Sequence, residues 1–135
     1  MPSFNKIFNP KVKILFYLFF GGGLGTLFRF GIGKLIQSSS SLFPWHTIVA
    51  NFIGCLLIGL FFGWLSKEDG LKNEIYFLAS VGFCGGLTTF STFSLESLQL
   101  LKSGHFLLFA SYILASILGG ILFIVLGHYI TKGTL

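Results

Sequence analysis

The sequence predicts an all-α integral membrane protein with four transmembrane helices, the third of them broken at mid-membrane. Three observations carry this. Of 135 residues, 53% are apolar and only 10% are charged, against about a quarter charged in a typical soluble domain. Residues 35–66, 75–95 and 103–131 contain no Asp, Glu, Lys or Arg, and each stretch exceeds the roughly 20 residues a helix needs to cross hydrocarbon. In the third span, Gly85 and Gly86 are followed by Thr88 and Thr89, a poor recipe for a continuous helix. Composition excludes a soluble enzyme, a disordered chain and a disulfide scaffold.

The first span is expected over about 14–36. It opens behind Lys6, Lys11 and Lys13 with the run ILFYLFF, which is also how a secretory signal begins. No small-x-small cleavage site follows and apolar character continues past Arg29, so a retained helix is expected. The second span covers about 44–65, with Pro44 where a helix would start. The third covers about 75–101 and the fourth about 105–130. The connections QSSSSLF, SKEDGLKNE and LKSG are short, so the chain reads as a single four-helix membrane domain over 1–135.

The net charge of +5 does not gather into a patch or stripe, so no nucleic-acid partner is expected. With four spans, Lys6, Lys11, Lys13, Lys67, Lys72 and Lys132 share one side of the membrane, and Lys34 and Lys102 lie on the other. This bias predicts a multi-pass protein with cytoplasmic termini. Cys55 and Cys84 fall mid-span, and two sulfurs make no structural metal site.

The informative residues are those a membrane tolerates poorly. A cation inside a span faces the bundle interior or a water-filled cavity. Gly21, Gly25, Arg29 and Gly33 recur every four residues, so Arg29 shares a close-packing face. It reads either as part of an anion-attracting vestibule or as a paired structural residue. In the second span Thr47, Asn51, Gly54/Cys55 and Gly59 form one stripe. Asn51 can bond a neighbouring helix or offer its amide hydrogens to an anion.

The strongest signal is residues 82–94, GFCGGLTTFSTFS. A broken helix frees carbonyls that suit a cation and exposes an amino terminus that favours anions. Such backbone survives at membrane depth only where it is buried in protein or lines a cavity. Phe90 and Phe93 lie three apart with Glu96 next on that face, and Thr88, Ser91, Thr92 and Ser94 add hydroxyls. In the fourth span Tyr112 and Ser116 place two hydroxyls on one face, beside small-residue pairs with Gly119 and Gly120. His46, His105 and His128 sit at helix ends and are assigned no chemistry.

With GGGLGTLFRF at 21–30, ANFIGCLLIG at 50–59 and GFCGGLTTFSTFSLE at 82–96, the chain resembles the Fluc/CrcB family of fluoride channels over about residues 14–130. The resemblance implies an antiparallel, dual-topology dimer that conducts fluoride passively out of the cell through two pores. It implies a structural sodium ion at the dimer centre, held by the backbone carbonyls of Gly85 and Thr88. Phe90 and Phe93 would present ring edges to fluoride, Asn51 a pore-facing amide, Arg29 the basic residue of the first helix, and Tyr112 and Ser116 a polar track. With Ser91, Thr92 and Glu96 these make up the expected fluoride pathway. His46 departs from the family, which usually has glycine before the Thr that opens the second helix. The charge bias speaks for one preferred orientation, so the expected partner is either a second copy or an oppositely oriented homologue, within membrane lipid.

Two rivals stand beside this reading. A proton-coupled exporter of the small multidrug type needs an acid in its first helix, where this chain carries Arg29. A non-transporting helper subunit would leave Arg29 and the TTFSTF run as coincidences. No nucleophile–base pair points to an enzyme.

Overall fold

The computed structural model describes residues 10–36, 41–65 and 74–133. Lys6, Lys67 and Lys72, half of the expected charge bias, lie outside the described residues, as do most of the first two loops.

Helix α1 (Pro10–Ile36) begins earlier than expected, with Pro10 at its first position. A proline there loses no helical hydrogen bond, and Lys11 and Lys13 extend the helix beyond the apolar stretch. Helix α2 (Trp45–Leu65) takes Pro44 as the residue before its first turn, the Pro44 carbonyl accepting Ile48 N–H at 3.3 Å. The third span has two halves. Its first half, α3, is a wide π-helix over Tyr76–Cys84 continued by the α-helical turn Gly85–Leu87. Thr88 and Thr89 are extended, and the second half, α4, runs over Phe90–Lys102. Helix α5 (Phe106–Lys132) completes four apolar stretches long enough to cross a membrane, close to the expected boundaries.

The turn between α4 and α5 satisfies three of the last carbonyls of α4. Ser103 N–H bonds Gln99 O, Gly104 N–H bonds Leu101 O and His105 N–H bonds Leu100 O. Gly104 has φ 75°, the left-handed conformation that this helix ending requires.

Helices pair in parallel through glycine. Gly21 and Gly25 of α1 are buried against the backbone of Leu78, Phe83 and Leu87 in α3, and Gly86 lies on Gly22. Gly59 of α2 faces the backbone of Ile124 and His128 in α5, while Gly127 faces Leu56 and Leu60 in return. A Cβ at any of these places would meet backbone, so only glycine lets the helix axes approach this closely. The stripe expected in α1 holds as far as Arg29, whereas Gly33 faces open space. Two small apolar clusters fill the remainder: Ile32, Ala50 and Leu87, and Ile48, Leu100 and Tyr112. Most large apolar side chains point outward, Phe19, Leu35 and Leu107 being 76%, 88% and 84% exposed. Such a surface suits an apolar surrounding rather than water.

Gly127→Leu is expected to destabilise the protein by about 1–3 kcal/mol, the usual cost of overpacking, whereas Gly23→Leu, which faces open space, leaves it unchanged. Thermal unfolding of the detergent-solubilised protein checks this; equal melting of both variants would refute the close-approach account.

Candidate functional site

Thr88 and Thr89 interrupt the third span where α1, α2 and α5 surround it, and the N–H groups of both threonines find partners in the protein. Thr88 turns back on α3, its N–H and its Oγ1–H both donating to Cys84 O at 2.9 Å. Thr89 pairs with Asn51 of α2: its N–H donates to Asn51 Oδ1 at 2.8 Å, and Asn51 Nδ2 donates to Thr89 O at 3.4 Å. The amide thus stands in for a neighbouring strand. Thr89 also caps α4, its Oγ1 accepting Thr92 N–H at 3.2 Å and donating to Thr92 Oγ1 at 3.1 Å, a standard arrangement for a helix start. Arg29 reaches across from α1, its Nε donating to Gly86 O at 3.2 Å.

These bonds have a consequence for two carbonyls. In an unbroken helix Gly85 O would accept from Thr89 N–H and Thr88 O from Thr92 N–H. Both donors are committed elsewhere, to Asn51 Oδ1 and Thr89 Oγ1. The break therefore leaves the Gly85 and Thr88 oxygens without their helical donors, which is the kind of ligand hard cations take.

Two cavities adjoin the break and a third opens further along α4. One of about 290 Å³ is lined by Asn51, Thr88, Thr89, Phe90, Phe93 and Ser116, among others. Among the described residues Ser116 Oγ, buried beside this cavity, has no hydrogen-bond partner, and Asn51 keeps a second Nδ2 hydrogen beyond the one given to Thr89. Phe90 and Phe93 are tilted neighbours with ring centroids 5.7 Å apart, and Phe93 lies 5.1 Å from Tyr112. A second cavity, about 350 Å³, holds Arg29, Lys34, His46, Thr47, Thr89 and Thr92. Among the described residues no carboxylate pairs with Arg29, which lines this cavity while its Nε donates to Gly86 O. The third, about 500 Å³, opens at the end where α1 leads into α2 and includes His46, Glu96 and His105.

Glu96 is the hub between them. Its Oε2 accepts the Tyr112 hydroxyl at 2.6 Å, and its Oε1 accepts Thr47 Oγ1 at 2.8 Å and lies 3.1 Å from His46 Nε2. Tyr112 is fully buried.

Of the residues expected from sequence, Asn51, Phe90, Phe93 and Ser116 thus meet in one cavity, Arg29 and Thr92 in another, and Glu96 with Tyr112 in a hydrogen-bonded pair. Ser91 is exposed and lines none of the three; its hydroxyl lies 3.3 Å from Thr89 Oγ1. Sequence reasoning passed over Thr89, Thr47 and His46. Thr47 was within reach, four residues before Asn51 on the same stripe. The pairing of His46 with Glu96 joins residues 50 apart and carries no local signal.

A family model described as CrcB-like protein, Camphor Resistance (CrcB), matches residues 16–128. Among similar curated proteins, the fluoride-specific ion channel FluC of Phocaeicola vulgatus is 42% identical over 122 residues, covering 90% of this chain and all of that protein. The proteins of the same name from Flavobacterium psychrophilum and Leptospira interrogans are 42% and 41% identical, covering 90% and 89% of this chain and 98% and 95% of theirs.

Asn51→Ala strands both polar groups of the Thr89 backbone, an expected loss of about 1–3 kcal/mol. Hydrogen exchange reads it locally: the Thr89 amide should exchange much faster than in the wild type while mid-α5 amides keep their protection. Unchanged protection at Thr89 would show that the amide pairing does not hold the break.

Proposed function

This chain belongs to the CrcB-like family, and on that premise we propose that it is a fluoride-selective channel that lets fluoride leave the cell passively. The observation that carries the proposal is the 290 Å³ cavity, where Asn51, Phe90, Phe93 and an unpartnered buried Ser116 hydroxyl converge beside the helix break. Fluoride is small and strongly hydrated, so a selective path must replace its water with close donors. Ser116 O–H and the uncommitted Asn51 hydrogen are such donors, and aromatic ring edges are electropositive. The first turn of α4 points its N–H groups at mid-membrane, which favours an anion further. Arg29 in the adjoining vestibule raises the local anion concentration.

The same chemistry fits a structural sodium ion on the Gly85 and Thr88 carbonyls, whose helical donors are committed elsewhere. Bound there, it would add a fixed positive charge beside the break. A dimer suits the surface around it. Gly85 faces open space within the protomer and Phe90 is 80% exposed, so Phe90 lines a closed path only once a second subunit supplies the opposite wall. That subunit is a second copy or an oppositely oriented homologue, and the lysine bias favours the homologue, with this chain's termini in the cytoplasm.

Purified protein in liposomes loaded with potassium fluoride, with valinomycin added, should release fluoride rapidly and chloride hardly at all, with no imposed proton gradient. Phe93→Ile, which keeps apolar volume but removes the ring edge, should reduce fluoride release at least tenfold without loss of folded protein. Undiminished flux in that variant would contradict the role given to the ring, and silence of the wild type alone and with a homologue would contradict the channel. Reporter fusions at Leu135 should report mainly from the cytoplasmic side; equal signal from both sides would overturn the preferred orientation.

A further inference from the structure

Asn51 and Gly54 lie three residues apart on the face of α2 that meets the helix break, and each touches one of its two threonines. Asn51 pairs with the Thr89 backbone. Gly54 is buried, and a Cβ there would run into the Thr88 methyl group, with Thr88 Cβ at 3.7 Å and Cys84 O at 3.8 Å. Gly21, Gly25, Gly59 and Gly127 differ, since a Cβ on any of them would meet backbone of a neighbouring helix. Those glycines set how close two axes come, whereas Gly54 acts on one side chain. Resting on the reading of a sodium ion at the break, we propose that Gly54 is a positioning residue: it fixes the Thr88 rotamer and, through it, the two carbonyls, Gly85 O and Thr88 O, that hold the ion.

Threonine carries two branches on Cβ, so placing one places the other. In Thr88 the hydroxyl donates to Cys84 O at 2.9 Å, and the methyl then lies over Gly54. Cys84 O also accepts Thr88 N–H at 2.9 Å, so two bonds tie this residue back to α3. Staggered positions lie about 120° apart, and turning the methyl away from α2 takes the hydroxyl off Cys84 O. A side chain at position 54 leaves three ways out. The hydroxyl bond is lost, the Thr88 backbone moves, or α2 retreats and takes with it the Asn51 amide that holds Thr89. Each disturbs the extended backbone at Thr88, φ −82° and ψ 153°, where α3 ends and α4 has not begun. That stretch is what leaves Gly85 O and Thr88 O without helical donors. Oxygen ligands built into backbone cannot swing to meet a cation, so their setting depends on what holds the chain around them.

Thermal unfolding of the detergent-solubilised protein at rising sodium, with N-methylglucamine keeping ionic strength constant, tests this. An ion that binds the folded state raises the melting temperature, and the sodium concentration giving half of the rise measures affinity. Gly54→Ala should need about tenfold more sodium or beyond, the usual effect of disturbing groups that orient metal ligands. Gly54→Ala/Thr88→Ser removes the methyl that the new Cβ meets and keeps the hydroxyl, so it should return near the wild-type value. Gly63→Ala, which meets Thr131 and His128 at the far end of α2, should melt lower at every sodium concentration with the same half-point. An unshifted half-point in Gly54→Ala, a double variant that fails to recover, or an equal shift in Gly63→Ala would overturn the proposal. Should Gly54→Ala not fold, the double variant decides: folded with the wild-type sodium response it supports the proposal, and unfolded it overturns it. A wild type that melts alike at every sodium concentration would overturn the sodium reading and this inference together, whereas fluoride release by that same protein would leave the channel standing.

Discussion

Backbone polar groups cannot be left unpaired in hydrocarbon, and everything else in this protein is arranged around one place where that requirement is met without a helix. At Thr88 and Thr89 the regular ladder stops. An unsatisfied amide or carbonyl at that depth costs several kcal/mol, so partners must come from other helices. Asn51 supplies a two-way pairing to Thr89, Arg29 binds Gly86 O, and the Thr88 hydroxyl returns to Cys84 O. Three of the four spans are tied to the break by these bonds. What remains over, two carbonyls without helical donors and the free first turn of α4, is the polar material a path for ions needs.

The glycine contacts follow from the same constraint. A side chain on α1 or α2 can reach the broken backbone only if the helix axes lie close, and large residues would hold them apart. Gly21 and Gly25 bring α1 onto α3 just ahead of Arg29, and Gly59 and Gly127 bring α2 onto α5 about two to three turns beyond Asn51 and Ser116. Close packing therefore sets the reach of the polar residues and also contributes stability.

Glu96 presents the complementary problem. An acid inside a span needs partners, and it has hydroxyls from α2 and α5 and an imidazole from the start of α2. Three groups from two helices converge on one carboxylate at the outer opening.

The sequence by itself determined the four spans, their limits to within a few residues, the break after Gly85–Gly86 and the residues Asn51, Phe90, Phe93 and Ser116 that meet in one cavity. Those features follow from local rules: uncharged length, glycine and threonine in a helix, and polar residues repeating at helical spacing. Tertiary structure alone decided that Asn51 pairs with Thr89, that Arg29 binds Gly86 O and meets no described carboxylate, that Ser91 turns away from the cavities, and that His46 meets Glu96. Each depends on how far two helices are rotated and how closely they approach. That geometry emerges from glycine-to-backbone contacts between residues distant in sequence, and periodicity along a single helix does not encode it.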